Sequence, residues 1–165
     1  IVAHVSFAEP FCPVMRSLLV DILNNMETTV HDGGTYVVIE GPSFSTIAES
    51  KLYRSWEASI VGMTALPEAK LAREAEMCYT TLACVTDYDV WHDTHDVVTV
   101  DMVLANLQLN MAVAQEIIAK IVGRLPLHRN CSCPTALTNA VVTSSDAMIE
   151  STKENMKLFL GDRIN

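Results

Sequence analysis

Two carboxylates, Asp87 and Asp89, close the apolar run from Tyr79 to Thr86. That run is rich in β-forming residues and reads as a buried strand, whose side chains alternate faces with period two. Both carboxylates are therefore expected to point the same way, beyond the strand's end. Mutual repulsion and poor solvation at an apolar rim push at least one of them toward holding a proton near neutral pH. Two further strand ends carry groups of chemical interest. Ile39-Glu40-Gly41-Pro42-Ser43-Phe44-Ser45 turns from a strand into a helix, and Val61-Gly62-Met63-Thr64 ends the next strand.

Phe44 offers a flat apolar surface in a junction where a strand's carboxyl end and helix amides converge. The plainer reading is a tight turn with a core Phe. Glu40 is either exposed at the rim or aimed at a pair of ligand hydroxyls. Met63 is soft and adaptable, and Thr64 adds a hydroxyl and an amide; a core Met with an N-cap Thr is the plainer alternative. Together the three ends, Glu40, Met63-Thr64 and Asp87/Asp89, are expected to share one rim of an α/β sheet, where substrates bind. An aromatic platform, a thioether, a hydroxyl and acids suit a nucleoside: base stacking, ribose packing and protonation of a heterocycle nitrogen.

The elements that must position these groups alternate helix and strand. Glu9 to Met26 has helical apolar spacing, with Pro10 and Pro13 suited only to its first turn. Thr35 to Ile39 is a strand, and Ser45 to Trp56 a helix capped by Ser45 or Thr46 with Glu49 as a possible box partner. Ser59 to Met63 is a short buried strand, and Pro67 opens a helix from Glu68 to Glu76. A long amphipathic helix runs from Thr99, a good N-cap, to Gly123, a good stop, with Val103, Leu107, Ala114, Ile118 and Ile121 on one face. A last helix spans Asp146 to Leu160. The alternation predicts an α/β domain with a parallel or mixed central sheet flanked by helices, and no internal boundary across residues 1–165.

Composition narrows the function classes. The chain has 165 residues, enough for one ordinary domain. Its formal charge of −9 and eleven scattered basic residues exclude a nucleic-acid surface. No apolar run reaches bilayer length, so no membrane partner is expected. The N-terminal Ile-Val-Ala-His-Val-Ser-Phe shows no signal peptide and reads as beginning mid-strand. Of five cysteines, Cys12, Cys78 and Cys84 sit in apolar settings, where inert thiols are the default. Cys131-Ser132-Cys133 lacks the two-residue gap of a zinc pair, so no metal is expected; a pair of thiols or a local redox-active disulfide remains. An odd number of cysteines fits a cytoplasmic protein. Trp91-His92-Asp93-Thr94-His95-Asp96 reads as a solvated loop rather than a metal site. His31 and His128 read as surface residues, and no cysteine has an activating His.

Four motifs carry a resemblance. Ile39-Glu-Gly-Pro-Ser-Phe-Ser45 with Ala48-Glu49-Ser50, Gly62-Met-Thr-Ala-Leu-Pro-Glu68, Thr86-Asp-Tyr-Asp-Val-Trp91, and His4 with Phe7-Ala-Glu-Pro-Phe-Cys-Pro13 closely resemble the 5′-methylthioadenosine phosphorylases of the trimeric purine nucleoside phosphorylase family. The resemblance covers nearly all of the chain, in order. It implies a phosphorylase/hydrolase-like α/β fold, of which this chain is the C-terminal part, and phosphate-dependent cleavage of a 6-aminopurine nucleoside. By the same resemblance Phe44 packs against the purine, Met63 lies under the ribose, and Thr64 binds phosphate. Asp87 meets purine N7 and the 6-amino group with Asp89 assisting, and His4 reaches a neighbour's site across a trimer interface. The 6-oxopurine branch typically has Asn at the Asp87 position. No cofactor is implied, since phosphate is a co-substrate, and the implied assembly is a trimer or a dimer of trimers.

The glycine-rich phosphate loop and the Arg-His phosphate ligands of the family have no counterpart here, Gly33-Gly34 being a turn. The isolated chain is therefore expected to be inactive, the missing part coming from elsewhere, including a separate chain. A broader purine nucleoside phosphorylase and a non-catalytic fragment are the alternatives. The Cys-Ser-Cys segment resembles one seen in archaeal-type members with disulfides, and Cys12 could pair with Cys78 if the fold brings them together.

Overall fold

A computed structural model describes residues 1–92 and 99–164 of the chain. These residues fall into two compact units, each built from separated stretches of sequence. The predicted positions Asp93–Asp96 lie outside the described residues.

The first unit, Ser17–Leu66 with Thr81–Leu125, carries the strands. Helix α1 (Pro13–Asn24) enters it, starting at the proline whose fixed φ suits a first turn. Leu19, Ile22 and Leu23 recur at helical spacing and are buried. Leu19 and Leu23 pack on Ile117, with Met26, Val30, Leu82, Val113 and Ile121 around them. Strands β1 (Thr35–Val38) and β2 (Ala58–Gly62) pair in parallel, with Tyr36 opposite Ile60 and Val38 opposite Gly62. A Cβ on Gly62 would stand 2.1 Å from the Tyr36 hydroxyl, so the Tyr36 ring occupies the space a side chain would need. Helix α2 (Ile47–Ser55) links the two strands. Its start is set by the expected capping box on Thr46: the Glu49 N–H donates to Thr46 Oγ1 (3.2 Å) and the Thr46 N–H to Glu49 Oε2 (2.7 Å). The Thr46 N–H, and next the Thr46 hydroxyl donating to the same carboxylate oxygen (2.8 Å), hold the Glu49 carboxyl below its ordinary pKa.

Helix α3 (Ala65–Glu74) begins two residues ahead of Pro67, which its first turn absorbs. The predicted strand Tyr79–Thr86 does not form a ladder among the described residues. A β-rich sequence becomes a strand only where a neighbour offers a ladder. Here part of that role falls to helix α4 (Val100–Val122), whose Asn106 and Asn110 side-chain amides donate to the carbonyls of Thr86 (2.6 Å) and Val85 (2.9 Å).

The expected limits of α4 hold, with Thr99 capping Met102 N–H and Gly123 ending the helix. Its expected apolar face holds in part, with Ile121 in the core and Val103 and Ala114 half-buried. Ile117 is the buried residue, flanked by Val113 and Ile121, while Ile118 is 58% exposed. The apolar residues on α4 are so numerous that periodicity alone allows more than one stripe. With 23 residues and a mean hydropathy of 1.2 over its most apolar window, α4 is also long and apolar enough to cross a bilayer, contrary to the expectation. That expectation counted only uninterrupted apolar runs. Its core contact and its two bonded asparagines engage it within this unit.

The second unit joins Ile1–Arg16, Pro67–Thr80 and the chain from Pro126 onward. The N-terminal segment pairs antiparallel at Ala3 and Val141, with His4 N–H on Ala140 carbonyl (2.8 Å) and Val142 N–H on Val2 carbonyl (2.9 Å). Leu137 and Ala140 form a core with Leu160, the last residue of helix α5 (Glu150–Leu160), and with Ile164. Glu76 ties three segments together. Its carboxylate takes both the Leu137 N–H (3.0 Å) and the Arg163 guanidinium (2.9 and 3.1 Å), and its carbonyl takes Arg129 (2.7 Å).

Candidate functional site

Because β1 and β2 are parallel, their carboxyl ends lie at the same edge of the sheet, and the chain leaves both into short turns. After β1 the turn passes through a cis Gly41–Pro42 bond with Gly41 at φ +72°. After β2 comes Met63, and a Cβ on Gly41 would stand 2.8 Å from Met63 Sδ. The two turns thus meet through a thioether against bare backbone, a contact that only glycine permits. Met63 is half-buried there, and Thr64 is exposed immediately before the first turn of α3. Phe44 is 85% exposed. The core position weighed for it is therefore not taken, and its ring is an open apolar platform. Beside it the Ser45 hydroxyl is buried without a hydrogen-bond partner among the described residues. Glu40 is exposed at the rim.

The acidic segment is tied to α2, the helix that follows the first of these turns, rather than ending a third strand. Ser50, 1% exposed, donates its hydroxyl to Asp89 Oδ2 at 2.5 Å. The other carboxylate oxygen of Asp89 takes the Val90 N–H (2.9 Å). A second tie lies just beyond: the Arg54 guanidinium sits 3.5 Å over the Trp91 ring, and Trp91 packs with Tyr88 and His92. Such a cation–π contact is worth about 0.5–1 kcal/mol at an exposed site. Asp87 is exposed and accepts from the Thr86 hydroxyl (2.5 Å). The poor solvation expected of both carboxylates is thus absent at Asp87, because no packed strand encloses its base. Asp89 is half-buried and takes a serine as its partner.

Phe44, Met63, Thr64, Asp87 and Asp89 all belong to the first unit, whereas His4 belongs to the second, exposed beside its bridge to Ala140. Sequence reasoning did not identify Ser50 as a partner of Asp89. The signal available was a serine inside the first turns of a helix, four places after the capping Thr46.

The second unit holds another group of chemical interest. The sulfurs of Cys12, Cys78, Cys131 and Cys133 lie within 4.8 Å of one another, and Cys78 Sγ is 3.5 Å from Cys131 Sγ. Burial pushes the Cys78 thiol up to about 11 and the Cys133 thiol up to about 12. At Cys131 burial acts in the same sense, but the Cys133 N–H and the neighbouring thiols outweigh it and leave that thiol below its ordinary value. Cys84 is exposed, so the apolar setting expected for it is not found. His31 and His128 are exposed, as expected.

Comparison with known proteins places these residues in a family. Residues 2–123 match the phosphorylase superfamily. The chain is 53% identical over 164 residues to the S-methyl-5′-thioadenosine phosphorylase of Thermosynechococcus vestitus, covering 97% of this chain and 57% of that protein. It is 48% identical to the protein of the same name from Geobacter sulfurreducens, covering 99% and 57%. Among solved structures, a methylthioadenosine phosphorylase from an antarctic soil metagenomic library superposes with a TM-score of 0.84 at 44% identity, over 96% of this chain and 57% of that one. The methylthioadenosine phosphorylase of Schistosoma mansoni in complex with adenine gives 0.72 at 33% identity, over 82% and 54%. The chain therefore spans a little over half the length of these relatives. With this match over residues 2–123 and parallel strands joined through a helix, the chain belongs to the phosphorylase superfamily.

Proposed function

We propose that this chain supplies the purine- and ribose-binding part of an enzyme that cleaves 5′-methylthioadenosine with phosphate, releasing adenine and 5-methylthioribose-1-phosphate. The observation that carries the reading is the rim itself. An exposed Phe44, a Met63 seated against Gly41, and an acidic segment anchored by Ser50 on the helix that follows the Phe44 turn all belong to one unit. The names of the relatives support the same substrate.

In this reading the purine stacks on Phe44 and the ribose packs on Met63. Asp87 accepts from the 6-amino group and, when its carboxyl carries a proton, donates it to N7. Asp89 holds the segment that presents Asp87. Breaking the bond from the ribose anomeric carbon to N9 leaves its electron pair on the purine, and a proton at N7 makes the base a better leaving group. The sugar passes through an oxocarbenium-like state, and a phosphate oxygen forms the new bond to the anomeric carbon. Thr64 helps place that phosphate, at the start of α3 where backbone amides favour an anion. His4 serves the site of a neighbouring copy, near the sugar's 5′ end. The exposed apolar side chains of α4, Leu109 and Val122 among them, support assembly with further chain, as a trimer or a dimer of trimers.

The test is turnover by the full-length protein on 5′-methylthioadenosine, adenosine and inosine, with and without phosphate. Phosphate-dependent adenine release, fastest from 5′-methylthioadenosine, is expected. Dominant inosine cleavage would overturn the substrate assignment, and base release without phosphate would overturn the reaction.

A further inference from the structure

We propose that Cys12, Cys78, Cys131 and Cys133 form a tetrathiolate site for a structural zinc ion. The proposal stands apart from the phosphorolysis reading, since none of the four is a rim residue and all lie in the second unit.

Geometry carries it. Three separate stretches deliver the sulfurs: Cys12 immediately before α1, Cys78 after α3, and Cys131 with Cys133 at a short 3-10 turn, Cys133–Thr135. All four sulfurs lie within 4.8 Å of one another, and all five cysteines of the chain are free thiols. Zinc held at about 2.3 Å by four thiolates places the sulfurs about 3.8 Å apart. The separation of 3.5 Å between Cys78 and Cys131, within an outer limit of 4.8 Å, brackets that edge. Cys12 and Cys133 are 1% and 3% exposed, so the cluster is closed to solvent on two sides, as structural rather than catalytic zinc sites are.

The surrounding contacts hold the three stretches in place without the metal. Cys12 N–H donates to the Tyr79 carbonyl (2.7 Å), and the Phe11 and Tyr79 rings stack at 6.1 Å. Glu76 fastens the 76–79 stretch to Leu137 and Arg129. Four sulfurs converged to this spacing match the ligand set of a closed zinc site, and a pair of disulfides, the other chemistry that would use all four, is separated from it by the test below. Binding displaces the thiol protons to solvent and forms four sulfur–zinc bonds, with no change of oxidation state. Cys84 lies outside the cluster and serves as the internal control.

The experiment is metal analysis of the full-length protein purified anaerobically, with thiols alkylated in the folded protein before and after chelation. About one zinc per chain is expected, with four thiols protected until chelator is added. Replacing the zinc by cobalt should produce the intense visible bands and near-ultraviolet charge transfer of tetrahedral thiolate cobalt. Cys131→Ser should lose stoichiometric metal and Cys84→Ser should keep it. Metal-free protein with Cys12–Cys78 or Cys131–Cys133 disulfides would overturn the proposal. So would four alkylatable thiols without metal that fail to bind added cobalt, or an unchanged cobalt spectrum in Cys131→Ser. Should that variant fail to fold, the cobalt titration of the unsubstituted protein decides alone.

Discussion

Replacing Ser50 with alanine should cost the fold far more than the loss of one oxygen suggests. Ser50 is 1% exposed, so no water takes over from its hydroxyl, and its acceptor is a carboxylate at 2.5 Å. A hydrogen bond to a charged group contributes about 1.5–3 kcal/mol, and the cost rises when the abandoned partner stays buried. Asp89 is half-buried and keeps the Val90 N–H, which places the loss near the middle of that range, about 2 kcal/mol. That corresponds to roughly a thirtyfold fall in the folding equilibrium constant. A double-mutant cycle separates the bond from the packing: Ser50→Ala, Asp89→Ala and the double variant are unfolded in urea at pH 7, with unchanged slopes required. A coupling energy of about 1.5 kcal/mol or more is expected between the two sites. Coupling below about 0.5 kcal/mol would refute the claim that α2 holds the acidic segment through this bond.

Three further outcomes follow from the same structure. Glu76→Ala removes the partner of Arg163 and of the Leu137 N–H at once and should destabilise the protein by about 2–3 kcal/mol in urea unfolding, against near-neutral change for an exposed glutamate such as Glu57. Gly62→Ala should cost about 1–3 kcal/mol, partly restored by Tyr36→Ala in the same chain, because the added methyl meets the Tyr36 ring; equal costs in both backgrounds would remove that cause. Glu49, held below its ordinary pKa by Thr46, adds stability that is complete above the unfolded carboxyl's pKa and disappears as pH falls through the folded one. Melting curves of Glu49→Gln should therefore lie below those of the parent at neutral pH and converge with them in acid, and a pH-independent gap would contradict the cap's charge dependence.

Local signals were the legible part of this sequence. Thr46 with Glu49, and Thr99 with Gly123, mark helix ends because a cap is a short-range hydrogen-bond pattern written in adjacent residues. The parallel pairing of β1 with β2 was legible for a similar reason: two short β-branched runs flank a helix. What failed depends on distant chain. The run Tyr79–Thr86 has strand composition, but a strand exists only with its neighbour, and asparagines of α4 take two of its carbonyls instead. Ile117 rather than Ile118 faces the core of α4 because the helix is apolar on several sides, and the packing partner chooses the stripe. The four-cysteine cluster was invisible because two of its members are 66 residues apart, and a metal pattern searched by spacing finds only the local Cys131-Ser132-Cys133 pair. The rim residues Phe44, Met63 and Asp87 stood out as strand-end groups, and a resemblance of motifs then gave them roles. Their physical case rests on Phe44 exposure and the Gly41–Met63 contact, which no sequence pattern displays.

The most direct test of the rim as a 6-aminopurine nucleoside site is the specificity of Asp87→Asn in the full-length protein. An amide at this position has no acidic proton to give N7, while its N–H can donate to a 6-oxo group. The value of kcat/KM for 5′-methylthioadenosine should fall by about 100-fold or more, the scale of lost general-acid catalysis, while that for inosine falls far less or rises. Equal losses on both nucleosides would contradict the role assigned to this carboxylate, and with it the reading of the rim.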